Sequence, residues 1–232
     1  MMIICCARVI SFAQDSNLPG VIPSIFYRGR MTNHFDYNLF ASATFITKAS
    51  KVNGKEYGAR NSEIYLQPSL VYKYSKDLNI AIGYTYVRGN SFSAVTEIEK
   101  QIWQQLIFEH RVFKGFMLHR FRLAEDIKNN LSPTLNYQIA FEKPLRGRVL
   151  DEGEFYFTCF NESFVNLSET SSAFYQANWA FAGIGYKTSK SGKFEFGPLV
   201  QTTFINQSHQ TNNLFLFQLL WIGNSQLFNR KK

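Results

Sequence analysis

Nowhere in this chain do apolar residues run for the roughly 18 to 20 positions that a membrane-crossing helix requires, so a helical membrane protein is excluded. The same absence leaves a transmembrane β-barrel open, because its strands are apolar on one side only and average out, here to a mean hydropathy of −0.19. Cysteine is scarce. Cys5 and Cys6 lie in an apolar leader and Cys159 stands alone on a predicted strand, so no intrachain disulfide framework is expected. Among the 4 histidines and 3 cysteines no pair has metal-ligand spacing, and no metal or other cofactor is expected. A block of one charge sign is missing too. The net charge is +8, but the basic residues are scattered among acidic ones and the longest basic run is Arg230-Lys231-Lys232. Nucleic-acid binding needs a patch rather than a total, so no nucleic-acid partner is expected. Sustained 3.6-residue periodicity and Gly-rich linkers are also lacking, which leaves one all-β domain.

What the chain does have is alternation. From Ser62 to Gly89, Ile64, Leu66, Leu70 and Tyr72 oppose Glu63, Gln67, Ser69 and Lys73. After a turn at Ser75, Lys76 and Asp77, the residues Leu78, Ile80, Ile82, Tyr84 and Tyr86 oppose Asn79, Ala81, Gly83 and Thr85. Side chains switch faces at every residue of a strand, so this period of two predicts a hairpin of half-buried strands. The unit recurs along the chain. Phe35, Tyr37, Leu39 and Phe45 form one apolar row, Leu135, Tyr137, Ile139 and Phe141 another, and Tyr175, Trp179 and Phe181 a third. Trp103 and Gln104 break the rule within the run Glu97 to Val112. Counting from Phe35 gives about ten strands, with Ile22 to Arg28 left as an extra segment or closing a barrel of about twelve.

Longer loops, such as 48–60 and 166–172, alternate with short turns near Ser75, Phe113, Arg146 and Ser189, as in outer-membrane barrels. Residues 1–13 end in Ser11-Phe12-Ala13 and resemble the back half of a secretory signal, truncated at its charged end, with 14–232 as the barrel domain. Alternation by itself fits a soluble lipocalin-like carrier as well, which buries its apolar row. The polar row is rich in Gln, Asn, Ser, Thr, Gly and Ala, which suits a crowded lumen better than a water-exposed surface. Tyr72, Tyr74, Tyr84, Tyr86, Trp179 and Tyr186 lie near strand ends on the apolar row, as an aromatic girdle would. The expectation is therefore an antiparallel transmembrane barrel.

Four short runs then occur in order: His119-Arg120-Phe121-Arg122-Leu123, Asn161-Glu162-Ser163-Phe164, Phe174-Tyr175-Gln176 and Gly183-Ile184-Gly185-Tyr186. Together, over roughly Pro23 to Trp221, they resemble the domain-of-unknown-function 2490 family of outer-membrane barrels. Ala124, Asp126 and Asn178 depart from the Glu, Arg and Arg usual there. The resemblance implies fold and location, and names no activity.

An exported barrel implies the bacterial outer membrane, outer-membrane lipid around it, the barrel-assembly machinery as insertion partner, and a role that is either structural or the binding or porin-like passage of a small molecule. Arg120 and Arg122 stand two apart on one strand and so share a face. Glu99, Gln101, Gln105, Glu142, Glu162, Gln176 and Glu195 are expected to join them in an inward polar network that fills most of the lumen. A barrel enzyme that hydrolyses or transfers lipid acyl groups is the alternative, and it needs a nucleophile with a base in hydrogen-bond reach. No catalytic residue is nominated: His110 and His119 share parity with outward Phe108 and Phe121, and His209 has only a loop neighbour, Ser208.

Overall fold

Extended chain with alternating faces can satisfy its backbone only by pairing with a neighbour, and every regular element among the described residues is a strand. The computed structural model describes residues 16–48, 50–52, 55–92, 96–128, 133–167, 175–205 and 210–226. The leader and the loop holding His209 lie outside them. The strands are β1 (Ser16–Arg30), β2 (Phe35–Ile46), β3 (Ser50–Val52), β4 (Lys55–Tyr57), β5 (Arg60–Lys73), β6 (Leu78–Gly89) and β7 (Ile98–Val112). They continue with β8 (Gly115–Asp126), β9 (Pro133–Pro144), β10 (Phe155–Asn166), β11 (Tyr175–Ser189), β12 (Gly192–Ile205) and β13 (Gln210–Gln226). β3 and β4 pair only with each other. The remaining strands close a barrel of eleven.

Eleven corrects the expected ten or twelve. The leftover segment Ile22 to Arg28 is the middle of β1, a full wall strand disguised by Pro19, Gly20 and Pro23. Its pairing with β2 passes over Ile22 and Pro23, where proline has no N–H to donate. An odd count also fixes how the ring closes. Each strand runs antiparallel to the one before it, so the first and last point the same way, and β1 pairs with β13 in parallel from Ser16↔Asn212 to Arg30↔Gln226. Side chains staple the seam on its outer face. Asn213 Nδ2 donates to Asn17 Oδ1 at 3.1 Å, and the Tyr27 hydroxyl donates to that of Ser225.

The faces sort as a barrel in lipid would sort them. Ile25, Leu39, Leu70, Ile82, Leu106, Phe121, Phe196 and Leu219 are large, apolar and exposed on the outside. Ser24, Gln67, Thr85, Gln105, Arg122, Asn136, Glu162 and Glu195 are buried within. One strand departs from its expected orientation. In β11, Tyr175 is exposed as expected, yet Phe181 is buried, Trp179 faces the lumen, and Ala180 and Ala182 lie outside. The cause is a bulge: Val165 pairs with Tyr175 but Phe164 with Ala177, so Gln176 is an extra residue that reverses the parity beyond it. Trp179 thus leaves the girdle. At the rim near the strand ends Arg30, Lys73 and Val112, an aromatic ring does form. Tyr27 stacks on Trp221 at 6.4 Å and leans on Tyr37 at 6.1 Å, Phe35 meets Tyr72 at 5.2 Å, and Phe155 meets Tyr186 at 4.8 Å.

Connections 31–34, 74–77, 113–114, 145–154 and 190–191 lie at that end, and 47–59, 90–97, 127–132, 167–174 and 206–209 at the other. The asymmetry is as expected except at 145–154, where a ten-residue loop replaces the tight turn near Arg146. Turn 113–114 has positive φ at Phe113 (49°) and Lys114 (63°), as a two-residue hairpin of the mirror-image type requires.

Candidate functional site

Parity brings the two arginines of β8 into the lumen, where Arg122 pairs in register with Gln105 of β7 and Asn136 of β9, and Arg120 with Gln138. Arg122 donates from Nε and Nη2 to Gln105 Oε1 at 3.1 and 3.0 Å and from Nη2 to Gln67 Oε1 at 3.1 Å. Its guanidinium lies 4.3 Å from the centre of the Trp103 ring, a cation–π contact. The same indole donates from Nε1 to Thr85 Oγ1 at 3.0 Å, and Gln67 Nε2 donates to Thr85 Oγ1 and Tyr65 Oη, both at 2.7 Å. Arg120 reaches over the intervening strand β9 to Glu162 of β10, Nη2 to Oε1, at 2.8 Å. The lattice therefore runs along one wall instead of spanning the lumen.

Two further ion clusters close the short-turn end. Lys193 Nζ stands 2.6 Å from Glu142 and 3.4 Å from Glu195, and Glu195 also accepts from the Tyr156 hydroxyl at 2.7 Å. Asp36 takes Arg28 at 2.8 Å and Lys73 at 2.7 Å. Of the nominated residues, Arg120 thus meets Glu162, Arg122 meets Gln105, and Glu142 and Glu195 share Lys193. Glu99 and Gln101 bond to each other at 2.5 Å near the long-loop end, away from the arginines, and Gln176 borders the lumen at the bulge.

The expected filling of the lumen is met on one side only. A cavity of about 980 Å³ follows the barrel interior. Its polar side comes from β5 to β9, with Tyr65, Gln67, Arg120, Arg122, Asn136 and Gln138. Its other side carries the apolar lining, Ile22 and Phe26 of β1, Phe40 of β2, Leu199 of β12, and Leu220 and Ile222 of β13, interspersed with Ser24, Ser42, Gln201 and Gln218. Toward the long loops this apolar side continues as a cluster of Leu18, Ile22, Ile46, Phe181, Leu199, Leu214 and Leu216. Phe92, from the connection after β6, packs against the cluster. Arg60 anchors that connection by donating from Nη2 to the Ser91 carbonyl at 2.7 Å.

Sequence reasoning passed over Gln67, Trp103, Tyr156 and Lys193. Trp103 had left a signal, since it was the residue that broke the alternation. It faces inward, and a Cβ at its cross-strand partner Gly83 would lie 2.2 Å from its ring, so only glycine admits it. Tyr156 lies over Gly185 in the same way, where a Cβ would be 2.0 Å from the ring. Gly183-Ile184-Gly185 therefore serves close packing.

No described histidine borders the cavity. His110 and His119 stack on the outer face with ring centres 5.3 Å apart, and His119 Nδ1 sits 2.9 Å from the Tyr137 hydroxyl. Among the described residues, no group of three His, Cys, Asp or Glu is placed to hold a metal ion.

Comparison with known proteins returns one family. Neither a curated protein nor a solved structure matches the chain. A family model described as a protein of unknown function, DUF2490, matches residues 23–213, which takes in the wall from the middle of β1 to the start of β13 and with it the whole arginine lattice. The chain belongs to the DUF2490 family.

Proposed function

We propose that this chain is a bacterial outer-membrane β-barrel whose lumen binds a small molecule. One observation carries the reading: charges and amides turn inward around a cavity while large apolar side chains turn outward on the strands of the wall. A lipocalin-like carrier requires the opposite arrangement, since its outer face meets water. An outer face of exposed Phe, Leu and Ile closed by an aromatic ring supports lipid as the surrounding medium. The cavity supports binding over a purely structural role, because its volume sits at the upper end of the roughly 300 to 1,000 Å³ usual for ligand pockets. The ion clusters at the short-turn end support binding over open passage.

Fractionation of cells expressing the protein tests the placement. The expected result is recovery with the outer membrane, extraction only by detergent, and faster gel migration before boiling than after. Recovery as a detergent-free soluble protein overturns it.

A further inference from the structure

We propose that the lumen ligand is a single-chain anionic amphiphile, its head held by Arg120 and Arg122 and its chain laid against the apolar side of the cavity. This rests on the lumen being a binding site, and it names the class of molecule bound there.

The head follows from the state of the two arginines. Arg122 is only 6% exposed, and its partners are neutral: two glutamine oxygens and an indole ring. No carboxylate among the described residues pairs with it, whereas the carboxylate of Glu162 is engaged with Arg120. A buried cation bonded only to dipoles, with the nearby Glu162 charge shared with Arg120, is costly, and an anion beside it recovers that cost. Arg120 Nε is buried without a partner, and Arg120 and Arg122 both border the cavity, so donors are on offer there. Asn136 Oδ1, next to Arg122 in register, is also buried and unpartnered, an acceptor that a hydroxyl on the head would fill.

The chain follows from the opposite side. Ile22, Phe26, Phe40, Leu199, Leu220 and Ile222 border the same cavity as the guanidinium groups. A small hydrated anion would leave those six side chains facing water, while an aliphatic chain removes that surface from water. Two guanidinium groups on one side of the cavity and those apolar side chains on the other are the complement of an amphiphile with one anionic end.

Tryptophan quenching tests the proposal. The chain has three tryptophans, of which Trp103 and Trp179 face the lumen and Trp221 faces outward. A Trp221→Phe variant, purified in an uncharged detergent, therefore reports from the lumen alone. Titration with 9,10-dibromostearate should give saturable quenching, and its methyl ester should bind at least about tenfold more weakly, because the charge-assisted contacts are lost. Arg122→Gln, in the same background, should weaken the acid by about tenfold and leave the ester unchanged. A dibromostearoyl lysophospholipid with an anionic phosphate head forms the second arm: whichever of the two binds tighter names the source, and saturable quenching by neither overturns the proposal. Equal affinity for acid and ester also overturns it, as does an acid affinity that survives both Arg120→Gln and Arg122→Gln. Placement is read separately. In vesicles of brominated phosphatidylcholine, the difference between wild type and Trp221→Phe reports Trp221, and absence of quenching there rejects the membrane reading whatever the lumen binds.

Discussion

The two halves of this barrel share one backbone geometry and differ in chemistry. From β5 to β9 the wall is polar inside and apolar outside, and its inner face is a connected lattice of Gln67, Thr85, Trp103, Gln105 and Arg122. Through β11, β12, β13, β1 and β2 it carries large apolar residues on both faces, with Phe181, Leu199, Leu214, Leu216, Leu18 and Ile46 buried within. The first half holds its shape by directed bonds, each of which leaves a stranded partner when it is cut. The second relies more on non-directional packing, with directed bonds at its seam and at its short-turn end. Under the proposed placement the outside must be apolar whereas the interior is free to vary, and here it varies by sector.

The largest test cuts the polar half at its one carboxylate–guanidinium bond. Glu162→Ala leaves the Arg120 head without its ion partner and should cost about 3 to 5 kcal/mol in denaturant unfolding. Arg120→Met added to it should recover much of that loss, and no recovery would show that the pair does not act as a unit. A midplane arginine scan comes next. Ile139→Arg, on the outer face of the polar half, should cost about 2 to 4 kcal/mol, and Gln138→Arg, its inward neighbour, far less. In the apolar half the contrast should vanish: Val200→Arg outside and Leu199→Arg inside should both destabilise, the second because it buries an unpaired cation. A large inside–outside gap at that pair would break the division into halves.

That division also explains what could be read in the sequence. Glu63 to Lys73 and Leu78 to Tyr86 alternate cleanly because one face needs polar residues and the other apolar ones, so the organising hairpin and the inward arginines were legible from spacing. In β13 the run Leu214-Phe215-Leu216-Phe217 is apolar throughout, and period two disappears where both faces ask for the same chemistry. β1 was hidden by its prolines and glycine. Trp179 and Phe181 were turned outward in the reading because nothing in the composition announces that Gln176 is a bulge, a feature set by the register of β10 against β11. The partners of each charge were illegible for a related reason. Gln67 and Arg122 are 55 residues apart, and only the closed ring brings β5 and β8 onto one stretch of wall.

Smaller effects sharpen the comparison further. Gly83→Ala should cost about 1 to 3 kcal/mol by overpacking, since its Cβ would meet the Trp103 ring, and Trp103→Leu in the same chain should relieve part of it. If alanine is tolerated there without loss, the ring is not what holds the polar half against its own wall. The smallest effect is on labelling, with stability unchanged. Under the proposed placement, Lys128→Cys, at the long-loop end shared by both halves, should react with a membrane-impermeant maleimide on intact cells, and Lys76→Cys, at the short-turn end, should not. Labelling of Lys76→Cys alone would invert the barrel in the membrane.

The parallel seam sets the order in which this wall can be completed. Most other pairings join strands that a short connection already holds near each other, so they can form locally as soon as a hairpin turns. The β1–β13 pairing has no such help: Asn17 and Asn213, bonded across it, are 196 residues apart. Such a contact waits on nearly all the others, and until it forms both edge strands carry unpaired backbone groups. Ring closure is therefore the slow, late step of folding. Parallel closure also puts Ser16, where β1 begins, and Gln226, where β13 ends, at opposite ends of the wall.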